Sequence, residues 1–268
     1  MVPSAGKRSL KGLGTALRTL TIIPCDRSGG DDFGSSLMWF PIVGTVLGLI
    51  LYAIGWIWMR LPFPPWPALA ALLMMGAEIW LTRGLHLDGL ADWADSIGGG
   101  GQRVRRLAIM KDTSVGAFGV LALILALLGK WIAFERLLCS GTSIWVVPVL
   151  CLSRAVMAGL LMALPYARAE GGMGKPFVAT GAPIRRTPVY GLTLAVCLML
   201  GPLGVLLGAA GYLQAALFKT RIRHAFGGIT GDLLGTANEM VELTFLVLLA
   251  VPGKGLLAYT GWNWLFTC

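Results

Sequence analysis

A chain of 268 residues that is 56% hydrophobic and only 13% charged, with a mean hydropathy of +0.75, is not an ordinary soluble domain, where about a quarter of residues carry charge. Its apolar residues come in long blocks separated by short polar loops, which excludes one large aqueous core and predicts an all-α, polytopic integral membrane bundle. Five cysteines (Cys25, Cys139, Cys151, Cys197, Cys268) without paired spacing exclude a disulfide framework or a zinc site.

The first twenty residues carry Lys7, Arg8, Lys11 and Arg18 but no adjacent apolar core ending in a cleavage site. No cleaved signal peptide is expected. Residues 9–24 are expected along the membrane surface, with their basic side chains toward lipid phosphates. Apolar runs then predict spans over 37–59, 66–85, 115–134 and 143–164, a long stretch over 188–218, and a last span over 240–258. Gly201-Pro202 interrupts the long stretch near its middle, where proline removes an amide donor and disfavours helix at the residue before it.

Loop charge decides how that stretch is read, because short cytoplasmic loops carry excess Lys and Arg. The N-terminal arm, 86–114, 165–187 and 219–239 are all basic, whereas 60–65 and 135–142 are nearly neutral. One span over 188–218 would put 219–239 outside. A hairpin of two short helices, full or re-entrant, keeps all four basic stretches inside and gives about six to seven helices. Within the spans, Arg154 is expected to face the bundle interior and to pair there. Lys130 is expected near a span end, reaching back to the interface.

Acids are scarce, 13 in all, so their clustering is informative. In "LHLDGLADWADS" (85–96), Asp88, Asp92 and Asp95 fall at i, i+4 and i+7, on one helix face, with His86 just before. Like charges on adjacent turns repel by a few tenths of a kcal/mol per pair. Either the face is simply solvated or a counter-charge binds there, and a divalent cation such as Mg²⁺ suits carboxylates that share it with phosphate oxygens.

A second cluster is "AIMKDTSVGAFG" (108–119), with Lys111 and Asp112 ahead of Gly116 and Gly119. It reads as an anion-accepting helix N-terminus, or as a helix start capped by Asp112 or Thr113. The third is "HAFGGITGDLLGTANEMVE" (224–242). There Asp232 and Glu239 share a helix face, and Glu239 and Glu242 are expected at the mouth of the last span. Solvent-facing acids at a helix start are the plain alternative for this cluster. His224, beside Arg221 and Arg223, reads as part of a basic patch. The glycines at 98–101 are a link and not a phosphate loop, since no GK[ST] follows.

Six ordered blocks give a resemblance: "WFPIVG" (39–44), "GLHLDGLADWAD" (84–95), "IMKDTSVGAFG" (109–119), "SRAVMA" (153–158), "YARAEGGMG" (166–174) and "GGITGDLLGTANEMVE" (227–242). In this order, over nearly the whole chain, they resemble the cobalamin synthase (adenosylcobinamide-GDP ribazoletransferase) family. Departures are Arg83 and Ser96 where glycines are expected, Ser114 for an arginine, Ala169 for a glutamate and Leu233 for a threonine.

The resemblance implies one membrane-embedded transferase unit over 1–268, in the bacterial inner membrane with its active site facing the cytoplasm. It implies transfer of the cobinamide-phosphate group of adenosylcobinamide-GDP to α-ribazole or its 5′-phosphate, with release of GMP. Under it, Asp88, Asp92 and Asp232 are expected as Mg²⁺ ligands, with Asp95 and Glu239 as further members. His86 or Asp112 would take the acceptor's proton, and Lys111, Arg154, Arg168 and Arg223 would meet substrate phosphates.

A homo-oligomer is compatible with this reading. A nucleic-acid partner is not expected, because no basic-aromatic module occurs. Two rivals are weaker. A CDP-alcohol phosphatidyltransferase-like enzyme would need an arginine that "DGLADWAD" lacks, and a transporter would need polar, broken helices near the bilayer midplane.

Overall fold

The computed structural model describes residues 5–25, 30–180 and 186–262; Cys268 and Arg185 fall outside them. Helix α1 (Ala5–Leu20) is amphipathic, but Ala16 and Leu20 are buried against protein. Gly12 is pressed against Ser35, and the Ile22 amide donates to the Leu81 carbonyl at 2.8 Å. Part of its apolar face therefore packs on the bundle.

A short helix α2 (Phe33–Ser36), capped by Asp32, leads through one 3-10 turn into α3 (Phe40–Trp58). Together these make a 26-residue apolar stretch long enough to cross a membrane. Helix α4 (Pro67–Thr82) stops because Arg83 and Gly84 take left-handed backbone, φ 58° and 63°. For a residue with a Cβ this costs about 1 kcal/mol or more. Helix α5 (Leu85–Gly98) then leaves α4 at 88°, so the expected span 66–85 ends earlier and turns sharply.

Helices α6 (Arg103–Ile109) and α7 (Ala117–Ser140) follow, then a 3-10 turn and α8 (Val146–Ala163). Every residue of α8 except Gly159 and Ala163 is buried. It can sit at the centre because α3 approaches it through glycines. A Cβ on Gly44 would lie 2.2 Å from the Leu150 carbonyl oxygen, and one on Gly48 would lie 2.7 Å from the Val147 Cα. Small residues are how helices in lipid gain contact.

After α9 (Lys175–Thr180), the stretch 188–218 is a hairpin, as its loop charge predicts, but its arms are unequal. Helix α10 (Arg186–Met199) has 14 residues and α11 (Pro202–Phe226) has 25, roughly 21 and 37 Å at 1.5 Å per residue. The second arm is thus no short helix. It absorbs Lys219, Arg221 and Arg223, because after Gly211 no glycine or proline interrupts it until Gly227, at φ 72°.

The last span also starts earlier than 240. Helix α12 (Gly231–Ala250) opens at Thr230, whose hydroxyl accepts from the Leu233 amide. Glu239 and Glu242 therefore lie two to three turns inside it, not at its mouth. Five helical stretches are long and apolar enough to cross a membrane, or six with the bent α4–α5 pair. Among the described residues there is no strand beyond the isolated bridge of Tyr166 to Ile229. The chain is an all-α, multi-pass membrane bundle.

Candidate active site

Helices α5 and α12 cross at glycines. A Cβ on Gly89 would come within 2.5 Å of the Asp232 carbonyl oxygen, and one on Gly235 within 3.0 Å of the His86 Cα. The Thr236 hydroxyl reaches the Gly89 carbonyl at 2.9 Å. This approach sets the aspartate face of α5 against the first turn of α12, and the charges acting most strongly on Asp92 are Asp232 and then Asp88.

The loop from α8 completes the site. Ala167 donates to the Ile229 carbonyl at 2.9 Å, and Ile229 donates to the Pro165 carbonyl at 2.8 Å. This strand-like pairing ties residues 165–168 to the start of α12. Arg168 Nη2 then reaches Asp232 Oδ2 at 2.8 Å and the Met110 carbonyl at 3.2 Å, while its Nε is buried without a partner. Arg103 locks the same loop by donating to the Ala167 carbonyl at 3.1 Å.

Two cavities share Asp88. The smaller, about 180 Å³, is lined by His86, Asp88, Tyr166, Arg168 and Asp232. The larger, about 860 Å³, opens between α1, the α4–α5 turn and α7, with Arg18, Asp31, Arg83 and Asp88 on its wall. His86 is buried, and its Nε2 has no hydrogen-bond partner.

Neither Asp88 nor Asp92 accepts a hydrogen bond from any described residue, so both carboxylates are open to a cation. Their set with Asp232 is all oxygen, which suits Mg²⁺. It is not drawn into one tight cluster, and Mg²⁺ needs only one or two direct carboxylates when it shares its shell with water and phosphate. The residues fit the ion.

Residues 12–250 match the family described as cobalamin-5-phosphate synthase. The chain belongs to that family. It is 42% identical to the adenosylcobinamide-GDP ribazoletransferase of Chlorobium phaeobacteroides (strain BS1), over 87% of this chain and 95% of the relative. It is likewise 42% identical to proteins of that name from Prosthecochloris aestuarii, over 87% of this chain and 94% of the relative, and Chlorobaculum parvum, over 92% and 98%. No solved structure matches it. The match does not favour the CDP-alcohol phosphatidyltransferase alternative.

For a cobalamin-5-phosphate synthase family member, the expected residues separate into three groups. Asp88, Asp232, His86 and Arg168 line the smaller cavity, and Asp92 lies one turn along α5 from Asp88, within the field of Asp232. Asp95 shares their helix face, but its oxygens are taken by the amides of Gly116 (2.7 Å) and Gly119 (2.8 Å). The anion accepted at the α7 N-terminus is thus Asp95 itself, and neither Asp112 nor Thr113 is the cap. A Cβ at Gly116 or Gly119 would stand about 2.5 Å from that carboxylate (2.5 and 2.4 Å).

A second group lies on the surface beside the loop from α8. Lys111 pairs with Glu170. The exposed Asp112 accepts from the Ser114 amide at 2.9 Å, and that bond holds its carboxyl below the usual carboxylate range. Glu170 is lowered similarly by Lys111. Arg223 is not brought to the aspartates. It lines a separate cavity of about 450 Å³ with Lys219, Thr220 and His224.

The third group lies in the bundle interior. Lys130 does not reach back to the interface. It is buried, with Nζ 3.0 Å from Glu78, 2.8 Å from Glu239 and in contact with Glu242. Arg154 pairs with Glu242, and Ser153 and Asn238 each donate to the same Glu242 oxygen at 3.0 Å. Arg154 is thus in a structural ion pair, and its fixed partner takes it away from a phosphate role. Glu78, Glu239 and Glu242 lie close enough to hold a metal ion, but the Lys130 ammonium occupies that place. Glu239 therefore belongs to this network and not with Asp232.

Glu78 was not singled out in the sequence, although an acid inside "MMGAEIWLT" is itself a signal, because a carboxylate in lipid needs a partner. Arg103 read only as one more loop charge, and nothing in its spacing pointed to Ala167.

Proposed function

We propose that this chain transfers the cobinamide-phosphate group of adenosylcobinamide-GDP to α-ribazole, or to its 5′-phosphate, and releases GMP. The supporting observation is the α5–α12 crossing. It sets Asp88 and Asp232 on the wall of one cavity, with Asp92 one turn further along α5, in a chain that matches the family over residues 12–250.

Asp88, Asp92 and Asp232 would hold Mg²⁺. Bound there, the ion would neutralise charge on a diphosphate. Arg168 has two tasks in this reading. One guanidinium nitrogen fixes Asp232, and the unpartnered Nε remains for a phosphate oxygen, a charge-assisted bond. His86 would take the proton of the acceptor hydroxyl, because it lines the smaller cavity and its buried Nε2 has no partner. Asp112 is the poorer base, since the Ser114 amide stabilises its charged form. The attacking oxygen displaces GMP from the phosphorus attached to cobinamide, a step that depends on positioning and charge neutralisation.

We place the site on the cytoplasmic face of the bacterial inner membrane, with residues 1–268 acting as one unit. In support, the ends of α4, α8 and α11 and the starts of α7 and α12 gather at one side, as alternating crossings require, and the basic stretches lie there. The decisive assay follows GMP release from cobinamide-GDP by detergent-solubilised protein, with Mg²⁺ and after chelation. Mg²⁺-dependent release that needs an acceptor is expected. Release indifferent to both would refute the assignment.

A further inference from the structure

Arg83 is the only non-glycine residue with positive φ among the described residues. A chain that merely had to turn between α4 and α5 would do so more easily with glycine, as its neighbour Gly84 does at φ 63°. Strain kept at a residue with a long side chain points to the use of that side chain.

Arg83 lines the cavity of about 860 Å³, whose wall also includes Asp88. Among the described residues only one other cation lines that cavity, Arg18, and it is held by Asp31. The Arg83 backbone amide donates to the Trp80 carbonyl, but the Arg83 side chain makes no hydrogen bond or ion pair with any described residue. The hydroxyls of Thr15, Thr19, Thr21 and Thr82 on the same wall each bond a carbonyl four residues back in their own chain. The cavity beside Asp88 is thus left one unspent guanidinium, the group best suited to grip a phosphate through paired N–H donors.

We propose that Arg83 binds a phosphate of one of the two substrates and so sets the preference for it. This rests on the transferase reading above. The phosphate belongs either to the acceptor, as its 5′-phosphate, or to the donor pyrophosphate, and the two sources separate in one experiment. Arg83→Gly, Arg83→Ala and Arg83→Lys are assayed in detergent with cobinamide-GDP against α-ribazole and, separately, α-ribazole 5′-phosphate. Melting of each variant is followed in parallel.

Both Arg83→Gly and Arg83→Ala are expected to raise one KM about tenfold, equivalent to about 1.4 kcal/mol, with kcat falling less, and Arg83→Lys should be intermediate. Arg83→Gly should also melt higher than wild type, because the left-handed position is relieved. Weaker binding together with a more stable fold is a result no structural role for Arg83 would give. A KM rise confined to the phosphorylated acceptor assigns the acceptor's phosphate. A rise in the KM for cobinamide-GDP with either acceptor assigns the donor. Unaltered KM values for all three substrates in folded Arg83→Gly overturn the proposal. Wild-type protein that releases no GMP overturns the reading beneath it instead.

Discussion

The molecule has two gatherings of three acids, and they are built oppositely. Glu78, Glu239 and Glu242 lie in the bundle interior, closed around the ammonium of Lys130, with Arg154, Ser153 and Asn238 completing the shell. Asp88 and Asp232 lie in the first turns of α5 and α12 and line a cavity, with Asp92 one turn further along α5, and of the three only Asp232 has a cation of its own, Arg168. Acids that a protein neutralises itself hold helices together, whereas acids left open to a cavity can accept a cation and its ligand.

The largest effect should come from breaking the closed cluster. Lys130→Met leaves three buried carboxylates without their shared cation. Removing one partner of a buried pair costs roughly 3–5 kcal/mol, so a lower melting temperature and poor folded yield in detergent are expected, with activity lost through the fold. In the open cluster the effects should reverse. Asp88→Asn or Asp92→Asn should reduce GMP release at saturating Mg²⁺ by about a hundredfold or more, roughly 2.7 kcal/mol of barrier, while the melting temperature barely moves. Near-normal turnover of either variant would remove the aspartates from the chemistry.

Arg168→Lys sharpens the same contrast. It keeps the charge but loses the second edge of the guanidinium, and a KM increase of about tenfold is expected with a folded protein. The smallest effect belongs to Asp95, which has the face of the open set and the work of the closed one. Asp95→Ala removes the cap of α7 and should cost about 1 kcal/mol of stability, visible in thermal melts. A loss of Mg²⁺ dependence in that variant would return Asp95 to the metal set.

How far the sequence foretold this depended on what each signal measured. Helical spacing placed Asp88 and Asp92 on one face, and loop charge required the break at Gly201-Pro202. Hydropathy failed where a helix runs on through polar residues. Lys219 and Arg223 do not stop α11, because only backbone chemistry does so, at Gly227. The same error hid the start of α12, so Glu239 was expected at a membrane mouth and not beside Lys130. Asp95 shows another limit. Period alone cannot tell a carboxylate that faces a cavity from one aimed at the amides of a helix 21 residues later.

The buried pairing of Arg154 with Glu242 has a consequence for how the protein is made. The two residues are 88 positions apart, so the ribosome delivers the charged middle of α8 long before its mate exists. Glu78 and Lys130 emerge sooner and can neutralise each other in the interval. A chain cut short before Gly231 would hold an orphaned guanidinium in lipid, and quality-control proteases should clear it faster than one ending after Ala250.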